Sequence, residues 1–476
     1  MEMTNYDTIC ALATAQGGAL NVIRVSGKQA IEIVSEMFVP RNGKPLHQRE
    51  THRAVFGDVI GCQGEILDEV LLTIMRAPHS YTGEDTIEIS CHASPYITRE
   101  ILMNLIEKGA RQANPGEFTM RAFLNGKMDL SRAEAVADII AADSKAAHRL
   151  AINQLKGGFS RQLSQLRDKL LHLTSLMELE LDFSEEDVNF ADRSELLELC
   201  GQIESVIAHL ASSFSIGNAI KNGIPVAIVG ETNTGKSTLL NALLHEERAI
   251  VSNISGTTRD TIEGLMNIGG TSFRFIDTAG VRPTTDVVEQ MGIERTLQQL
   301  DKSTIALWVI DPMMDIKTVE AAAKRLLPLC EDKNLAVLIN KCDIVDAVTI
   351  TRAMEWATTM IERHGTKINW DKSNMWAISA KLGTNIEHLH SFLQNASAMP
   401  NVAEDAVIVT NVRHYEALRA ALADIQRVQQ AMRDSLPGDL VSEDLRLCIS
   451  HLSEIVGEIS VNSVLENIFK NFCIGK

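Results

Sequence analysis

The spacing of apolar and polar positions changes along the chain, and each change predicts a different kind of structure. In residues 1–125, short β-rich runs at 20–25, 69–76 and 85–90 alternate with a helical pattern at 97–108. Turn signals that contain glycine separate these runs. We therefore predict that the first part of the chain is an α+β domain.

From residue 126 to about 219 the pattern becomes helical, with almost no proline and little glycine. In the stretch 155–181, leucines recur every three or four residues, which is the spacing of one face of an amphipathic helix. The same spacing returns after about residue 400, at 415–432 and 440–472. These patterns predict one helical domain that is assembled from two separated segments.

Between the two helical segments, apolar runs alternate with helical patterns. The alternation of buried strands and helices is typical of a parallel sheet that is covered on both faces. These runs lie at 224–229, 272–276, 304–310, 335–339 and 375–378. The predicted fold class is therefore multidomain α/β, with an N-terminal α+β domain, an all-α helical domain and an inserted α/β domain. The predicted boundaries are 1–125, 126–219, 220–398 and 399–476.

Charge and cysteine content narrow the classes of function. The chain has 62 acidic and 45 basic residues in 476, and the net charge of −17 argues against a protein that coats nucleic acid, although a local basic patch is compatible with it. None of the eight cysteines forms a CxxC pair, which favours a reducing compartment. There is no apolar run of membrane-spanning length and no signal-peptide pattern at the N-terminus. We expect a cytoplasmic protein without a membrane segment.

The segment GETNTGKS at 230–237 matches the phosphate-binding motif G-x-x-x-x-G-K-[ST]. It follows the predicted strand 224–229 and precedes a predicted helix, which is the context that the motif requires. Gly230 and Gly235 allow the backbone to wrap around a phosphate, whose charge then faces backbone N–H groups. Lys236 supplies a positive charge for the β- and γ-phosphates, and the Ser237 hydroxyl can bind Mg²⁺. The segment predicts a nucleotide site.

Four further motifs follow in the order of a GTPase domain: GTTRD at 256–260, DTAG at 277–280, NKCD at 340–343 and SAK at 379–381. Asp277 can hold Mg²⁺, and the Asp343 carboxylate can accept both N–H groups of a guanine edge. The order and spacing predict a P-loop GTPase domain with a mainly parallel sheet. The predicted GTP-binding residues are Asn233, Thr234, Gly235, Lys236, Ser237, Thr238, Ser252, Thr257, Thr258, Asp277, Thr278, Ala279, Gly280, Asn340, Lys341, Asp343, Ser379, Ala380 and Lys381.

Two details bear on the mechanism of hydrolysis. The residue after Gly280 is Val281 and not the glutamine that orients water in Ras-like proteins. Arg259 and Arg282 are candidates for an arginine finger, although structural roles are favoured for both. A monovalent cation that is bound by the Asn233 side chain would neutralise the same developing charge.

The chain resembles the MnmE (TrmE) family of tRNA modification GTPases over essentially its whole length. The resemblance rests on AIVSNISGTTRD at 249–260, FCIGK at 472–476, YTGEDTIEISCH at 81–92, PGEFTMRAFLNGKMDLSRAEAVADII at 115–140 and shorter segments. It implies an N-terminal tetrahydrofolate-binding and dimerisation domain, a split helical domain and an inserted GTPase domain.

The resemblance also implies an activity and its partners. With MnmG (GidA), a partner that contains FAD, the homodimer would form a heterotetramer or a larger complex. This complex would add an aminomethyl or carboxymethylaminomethyl group to carbon 5 of the wobble uridine in certain tRNAs. A 5-formyl- or 5,10-methylene-tetrahydrofolate would carry the one-carbon unit. GTP is the substrate that is hydrolysed, and K⁺-stimulated hydrolysis would drive a cycle in which the GTPase domains dimerise.

Roles for individual residues follow from the same resemblance. K⁺ would be bound by Asn233, Ser252, Ile254 and Thr257, and Mg²⁺ by Ser237 and Thr258. Glu289 would position the attacking water, with Lys236 as the second catalytic residue. The folate would be bound by Arg24, Glu88, Lys127 and Lys476, with Cys473 nearby. The segments AQGG at 15–18 and CHAS at 91–94 depart from the family pattern, which puts the local geometry of the folate loops in question.

Two other functions are compatible with the GTPase motifs. A GTPase switch in ribosome or RNA assembly would share them, but it would lack the N-terminal folate segment and the CIGK ending. Such factors typically add a basic RNA-binding module, and the sequence shows none. A one-carbon transferase with a regulatory GTPase is the third interpretation, and a requirement for the FAD-containing partner would exclude it.

Overall fold

The computed structural model of the chain describes residues 7–15, 17–182, 193–246, 263–277, 300–301, 303–365, 367–396, 407–434, 436–458, 465, 468–470, 472 and 475. The chain forms two compact units. The first comprises Met1–Ile140, Asn153–Ile207 and Ala417–Lys476, and the second comprises Ala141–Ile152 and Ala208–Glu416. The predicted fold class is confirmed. The four predicted domain boundaries stay predictions.

A seven-stranded sheet organises the N-terminal part of the first unit, in the order β3-β4-β5-β6-β2-β1-β7. Neighbouring strands are antiparallel except for β1 and β7, which are parallel. The strands are β1 (Ile9–Leu12), β2 (Leu20–Ser26), β3 (Phe38–Pro40), β4 (Arg53–Ile60), β5 (Ile66–Met75), β6 (Thr86–His92) and β7 (Arg111–Gln112).

The two faces of this sheet are covered differently. One face carries Ile23, Ile89 and Leu72 and packs under helices α1 (Ala30–Ser35) and α2 (Pro95–Glu107) to form the main core of the unit. On the other face, Phe118 of helix α3 (Glu117–Leu124) packs against Ile9 and Ala11 of β1. This alternation along each strand is what a sheet with side chains of period two requires.

The helices that follow α3 are divided between the two units, since Lys145–Leu155 lies mostly in the second unit and Arg193–Asn222 and Val412–Arg433 contribute to both. Those of the first unit form a bundle. Helix α6 packs along α13, and apolar residues at helical spacing, such as Leu163, Leu166 and Leu170 on α6, are buried in it. Polar contacts also join the helices, since Gln426 on α12 donates to Glu204 on α7 over 2.8 Å. The helices after α3 are α4 (Leu130–Ala141), α5 (Lys145–Leu155), α6 (Gly158–Asp182), α7 (Arg193–Asn222), α12 (Val412–Arg433) and α13 (Gly438–Val456).

Two predicted helices are shorter than the apolar pattern indicated. The pattern at 155–181 spans a break, because Gly157 has a φ of 76° between α5 and α6. The pattern at 440–472 also continues beyond the end of α13, where Gly457 has a φ of 85°. A Cβ atom on Gly457 would lie 2.8 Å from the Leu130 Cβ. Left-handed glycines end both helices although the apolar spacing continues.

The second unit contains a six-stranded sheet in the order β13-β12-β11-β8-β10-β9. All neighbouring pairs are parallel except β9 and β10. The strands are β8 (Ile224–Val229), β9 (Glu263–Ile268), β10 (Thr271–Asp277), β11 (Ile305–Ile310), β12 (Asn334–Ile339) and β13 (Met375–Ala377). The helices that cover it are α8 (Lys236–Glu246), α9 (Ile316–Leu326), α10 (Ala347–His364) and α11 (Ile386–Ala396).

Both faces of this sheet are buried, as the continuous apolar runs predicted. Leu307 of β11 belongs to the core under α8 and α11, whereas its neighbour Trp308 belongs to the core under α9 and α10. The functional ends of a parallel sheet are its carboxyl ends, where the loops after β8, β11, β12 and β13 meet. Within the described part of the chain, no helix combines enough length with enough apolar character to cross a membrane.

Candidate functional site

The loop after β8 has a backbone that only certain residues tolerate. Gly230 and Gly235 have φ values of 149° and 95°, and Asn233 has a φ of 63°. A Cβ atom on Gly230 would lie 2.2 Å from the Val309 carbonyl oxygen, and one on Gly235 would lie 2.2 Å from the Asn340 Nδ2. The two motif glycines are therefore required by conformation and by close packing.

The side chains of this loop fold its backbone into a cradle. The Lys236 ammonium donates to the carbonyl oxygens of Gly230, at 3.0 Å, and Glu231, at 2.7 Å. The buried Thr234 hydroxyl donates to the Glu231 carbonyl over 2.9 Å. Helix α8 starts at Lys236, so its N-terminal amides point into the loop and favour an anion there.

Four polar side chains in and just after the loop are exposed to solvent, those of Thr232, Asn233, Ser237 and Thr238. Because they are exposed, these side chains can reach a ligand, which buried side chains could not do. The exposed amide oxygen of Asn233 and the exposed hydroxyl of Ser237 are of the type that binds K⁺ and Mg²⁺, so these residues fit the predicted cations. Among the described residues, no three His, Cys, Asp or Glu side chains come together as a metal-binding group.

Asn340 joins the phosphate loop to the predicted base-binding loop. Its side-chain Nδ2 donates to the Thr234 carbonyl over 2.8 Å, and its Oδ1 accepts from the Ala380 backbone N–H over 2.9 Å. The side chain is buried, with 3% of its surface exposed. Because a buried amide with both ends satisfied holds a fixed orientation, Asn340 sets the spacing of the two loops.

The residue Asp311 belongs to this site, although the sequence motifs did not indicate it. It follows β11, and its Oδ2 lies 2.7 Å from the Lys341 ammonium while its Oδ1 accepts from the Met313 N–H over 2.9 Å. Lys341 has a φ of 65°, a conformation that a lysine rarely adopts. The ion pair holds the lysine at this position. The only signal in the sequence is an acidic residue at the end of a buried strand.

A second unpredicted contact braces the phosphate loop from its outer side. The Glu231 carboxylate forms an ion pair with Arg325 of α9. Both side chains are partly exposed, so the pair contributes about 0–1 kcal/mol to folding. Its partners are 94 residues apart, and sequence spacing gives no indication of it.

The remaining predicted nucleotide residues are only partly within the described structure. Ser379 and Ala380 are buried beside Asn340, whereas Asp343 and Lys381 are exposed at the same edge of the sheet. Asp277 is the last residue of β10, and its side chain is outside the described structure. The other predicted residues of this unit also lie outside the described residues: Ser252, Ile254, Thr257, Thr258, Thr278, Ala279, Gly280 and Glu289.

The predicted folate residues Arg24 and Glu88 lie directly opposite each other on β2 and β6. The Arg24 guanidinium donates to the Glu88 Oε1 from Nε, at 3.0 Å, and from Nη2, at 2.8 Å. It also lies over the rings of Tyr81 and Phe118, with 5.4 Å and 5.6 Å from its carbon to the ring centroids. Both charged side chains keep part of their surface exposed, so they remain accessible to a ligand.

The C-terminal end of the chain returns to this place. The Gly475 carbonyl oxygen accepts from Arg24 Nη1 over 3.4 Å, and a Cβ on Gly475 would lie 2.2 Å from the Leu12 carbonyl oxygen. Phe469 packs in one cluster with Leu130. Lys476 and Cys473 lie outside the described residues.

Lys127 and Arg24 both contact the segment 78–81, but Lys127 does not contact Arg24. Its ammonium donates to the Pro78 carbonyl over 2.8 Å, and its side chain is exposed. Arg24 reaches Tyr81, three residues further along this segment. The structure therefore brings Arg24, Glu88 and the C-terminus together, and places Lys127 at the other end of the 78–81 segment.

A network of buried and partly exposed charges fixes helix α3 below Arg24. Arg121, with 4% of its side chain exposed, forms ion pairs with Asp7, Glu84 and Glu117, and Arg111 pairs with Asp7 and Glu117. Burial alone would raise the pKa of Glu117, but hydrogen bonds from Arg111, the Asn114 N–H and Arg121 outweigh it and lower that pKa. The same balance of burial against Arg111 and Arg121 lowers the pKa of Asp7. The carboxyl groups of Asp7 and Glu117 are therefore ionised at neutral pH.

A cavity of about 900 Å³ opens on the opposite face of the same sheet, beside α2. Cys10, Asn21 and Thr98 are among its lining residues, and none of the predicted folate residues lines it. Burial raises the pKa of the Cys10 thiol to about 11, so this thiol is protonated at neutral pH. The Asn21 Nδ2 donates to the Thr98 hydroxyl over 2.9 Å. These polar groups satisfy each other and do not point to a ligand.

Family models cover most of the chain. The model described as "MnmE helical domain" matches residues 130–473, and the one described as "GTP-binding protein TrmE N-terminus" matches residues 8–127. A relative from Bacteroides fragilis, named "tRNA modification GTPase MnmE", is 54% identical over 473 residues, covering 99% of this chain and all of the relative. A relative with the same name from Flavobacterium johnsoniae is 46% identical over 484 residues, covering both chains fully.

Solved structures of GTP-binding proteins are similar to parts of the chain. A GTP-binding protein from Sulfolobus solfataricus in complex with GDP is 19% identical, with a TM-score of 0.29, covering 49% of this chain and 66% of that one. An Era variant from Aquifex aeolicus bound to GDP and AlF₄⁻ is 28% identical, with a TM-score of 0.28, covering 42% and 65%.

Proposed function

This chain belongs to the MnmE family of tRNA modification GTPases and is a GTP hydrolase that acts in tRNA modification, and from this premise we propose its reaction in more detail. With an FAD-containing partner of the MnmG type, it adds an aminomethyl or carboxymethylaminomethyl group to carbon 5 of the wobble uridine. A tetrahydrofolate derivative bound in the first unit supplies the one-carbon unit. The reaction takes place in the cytoplasm.

The observation that carries the GTPase part of the proposal is the prefolded phosphate loop. Lys236 and the N-terminal amides of α8 form a positive cradle, and Asn340 keeps it next to the base-binding loop. This geometry suits the phosphates of GTP, with Asp343 at the guanine edge. When bound, Mg²⁺ neutralises charge on the phosphates. Ser237 and Thr258 would hold it, and Glu289 would position the attacking water.

The exposed amide of Asn233 supports K⁺ as the second cation, with Ser252, Ile254 and Thr257 as the other proposed ligands. We expect GTP turnover to rise when Na⁺ is replaced by K⁺, and the Asn233→Ala variant to lose this response. Asp332→Ala is the control, because Asp332 also has a positive φ, of 59°, and its side chain is exposed in the turn before β12. It imposes comparable backbone strain without touching the cation. Equal turnover of the unchanged protein in both salts would exclude the K⁺ proposal.

The Arg24–Glu88 pair supports the folate part of the proposal. An arginine fork binds a carboxylate, such as the glutamyl end of a folate, through two hydrogen bonds. A carboxylate such as Glu88 accepts from the donor face of a pterin ring. Gly475 contacts this pair, and Lys476 and Lys127 are the other residues that we propose for the folate site. The direct test is to measure the binding of 5-formyltetrahydrofolate to the full chain by calorimetry.

An exposed apolar surface supports a homodimer formed through the N-terminal sheet. Leu71 and Phe56 lie opposite each other on β5 and β4, with 47% and 50% of their surfaces exposed, and Val39 on β3 is 52% exposed. The strand registers place these three side chains on the face that carries Arg24 and Glu88. Exposed apolar side chains on neighbouring strands, here interspersed with the ion pairs of Arg41, are typical of an interface. The homodimer would cover this surface and enclose the proposed folate site.

Mass analysis of tRNA nucleosides tests the proposed function as a whole. Cells that lack this chain should lose the modified wobble uridine, and the unchanged chain should restore it. The Lys236→Ala variant should fail to restore it, because hydrolysis is required for the modification. If the modified nucleoside persists in cells without the chain, the proposed reaction is excluded.

A further inference from the structure

A basic surface interrupts the acidic chain at one end of the N-terminal sheet. Residues 41–53 contain four arginine or lysine residues and two histidines but only one carboxylate, Glu50, whereas the whole chain has a net charge of −17. This segment connects β3 to β4, and Arg76 follows β5 at the same end of the sheet. We call this surface the basic patch; its members are Lys44, His47, Arg49, His52, Arg53 and Arg76.

Most of the positive charge in the basic patch is not neutralised by carboxylates. Arg49 donates to the Lys44 carbonyl from Nε over 3.1 Å, and Arg76 donates to the Arg49 carbonyl over 3.1 Å and to the His47 carbonyl over 2.8 Å. Throughout the described part of the chain, no carboxylate lies within ion-pair distance of Lys44, Arg49 or Arg76. These bonds to carbonyls fix the loop and leave three full positive charges. Arg53, in contrast, is paired with Glu50.

The basic patch lies at the end of the sheet nearest to the proposed folate residues. Thr73 on β5 faces Glu88 on β6, and Arg76 lies three residues beyond Thr73 along the chain. Three extended residues span about 10 Å. On the other side of Arg76, Lys127 donates to the Pro78 carbonyl. Arg76 donates to carbonyls of the segment that carries Leu46, on the α1/α2 face, so a polyanion on the basic patch would pass the end of the sheet beside Pro78 to reach Arg24 and Glu88.

We propose that the basic patch binds the phosphate backbone of the substrate tRNA and directs the RNA toward the one-carbon site in the same unit. This inference rests on the proposed function, because it takes tRNA as the substrate and the Arg24–Glu88 pair as the folate site. RNA fits this surface better than an acidic protein does. Closely spaced phosphates match several cations that are held in fixed positions, and a chain of this net charge repels a polyanion elsewhere. The sequence alone showed no basic module, since folding is needed to add Arg76 to the segment 41–53.

The chain offers a matched pair of variants for the test. Lys44→Gln/Arg49→Gln removes two charges from the basic patch. Lys156→Gln/Arg161→Gln removes the same two residue types elsewhere in the first unit, where both side chains are exposed. In each pair the arginine lies five residues after the lysine and donates to its carbonyl, over 3.1 Å for Arg49 and 2.9 Å for Arg161. The two variants therefore lose the same charge and a bond to the same lysine carbonyl, and Arg49→Gln also loses the bond from Arg49 to the Asn42 Oδ1.

Binding of an unmodified tRNA transcript with uridine at the wobble position is measured on the full chain by fluorescence anisotropy, over a series of KCl concentrations. We expect the basic-patch variant to bind about tenfold more weakly, with a salt slope reduced by about 1.5, since each phosphate contact contributes about 0.7–0.9 to the slope. The control variant should stay within about twofold of the unchanged chain. Basal GTP hydrolysis and folate binding should be unchanged in both, which shows that both variants fold.

Three results would overturn the proposal. Equal weakening in both variants would mean that tRNA senses only the overall charge, and unchanged binding in the basic-patch variant would place the RNA elsewhere. If that variant loses its affinity for the FAD-containing partner but keeps its affinity for tRNA, the surface binds a protein. Failure of the proposed function gives different results from failure of this inference. In that case the unchanged chain binds no folate, or the tRNA of cells that lack the chain keeps its modification.

Discussion

The two candidate sites of this molecule are assembled in different ways. In the nucleotide loop, Lys236 and Thr234 hydrogen-bond to carbonyls that lie three to six residues away in the sequence. In the proposed folate site, Arg24 contacts Glu88, which is 64 residues away, and Gly475, which is 451 residues away. The phosphate loop is folded largely by bonds within one short segment, with Asn340 tying it to the base-binding loop, whereas the proposed folate site exists only when β2, β6 and the C-terminal end meet.

This difference has a consequence for how each site responds to change. A local loop keeps its form as long as its backbone is intact, so a substitution there should act on the ligand and not on the fold. A site built from distant segments depends on every contact that brings them together, so substitutions nearby should act on both. The following predictions test this contrast.

The largest effect is expected for Lys236→Ala. Its ammonium faces the position of the β- and γ-phosphates, and loss of one such electrostatic group lowers kcat by about 10²–10³-fold. Lys333→Ala is the matched control, because the Lys333 ammonium also donates to two carbonyls, of Asp301 at 2.9 Å and Ser303 at 2.8 Å. Steady-state GTP hydrolysis should fall only in the first variant. A similar loss in both would mean that bracing the backbone, and not charge at the phosphates, is the role of Lys236.

The next effect is expected at the folate site. Arg24→Gln removes charged hydrogen bonds worth about 1.5–3 kcal/mol, so 5-formyltetrahydrofolate should bind about 10- to 100-fold more weakly. Arg24→Lys keeps the charge but loses the fork, and should give an intermediate affinity. Arg53→Gln is the control, since Arg53 belongs to the same unit but pairs with Glu50 on the surface. Titration calorimetry measures all three, and unchanged affinity in Arg24→Gln would remove Arg24 from the site.

The sequence predicted the nucleotide unit in more detail than the first unit, for physical reasons. The strand predicted at 224–229 is observed as Ile224–Val229, because a buried parallel strand is a continuous apolar run that ends at a glycine. The Arg24–Glu88 pair depends on the register of two antiparallel strands, which local spacing does not determine, and only the family resemblance pointed to it. The breaks at Gly157 and Gly457 were missed because the apolar spacing continues across them.

A tenfold effect is expected for Asp311, the acidic residue that the motifs did not indicate. Asp311→Asn weakens the ion pair that holds Lys341 at a φ of 65°, so GDP and GTP should both bind about tenfold more weakly. Turnover at saturating GTP should be unchanged, because Asp311 orients a binding residue and does not face the phosphates. Asp315→Asn is the control four residues later, where the carboxylate accepts from the Thr318 N–H at the start of α9.

A double variant separates a positioning role of Asp311 from a purely structural one. In a Lys341→Met background, Asp311→Asn should cause no further loss of nucleotide affinity, since its partner is already absent. Fluorescence titration with a labelled GDP gives both values. Additive losses would show that Asp311 acts independently of Lys341.

The smallest effect is expected in the charge network under the folate site, and it should depend on pH. The folded pKa of Asp7 is lowered from its ordinary value of 3.8, because hydrogen bonds from Arg111 and Arg121 outweigh burial. The ionised carboxylate thus stabilises the fold fully above that value, and this stabilisation is lost as the pH falls through the lower folded pKa. Asp7→Asn should therefore cost about 1 kcal/mol at pH 7 and nothing at the acidic end of this range.

Hydrogen exchange of the β1 and β2 amides measures this cost, and comparison of the two proteins at each pH cancels the intrinsic change in exchange rate. The β8 amides of the nucleotide unit are the internal reference, because Asp7 has no partner in that local loop among the described residues. Glu50→Gln, which removes an exposed carboxylate paired with Arg53, should change little at any pH. Equal loss of protection in β1 and β8 would contradict the contrast between a site that depends on distant contacts and one that depends on its own segment.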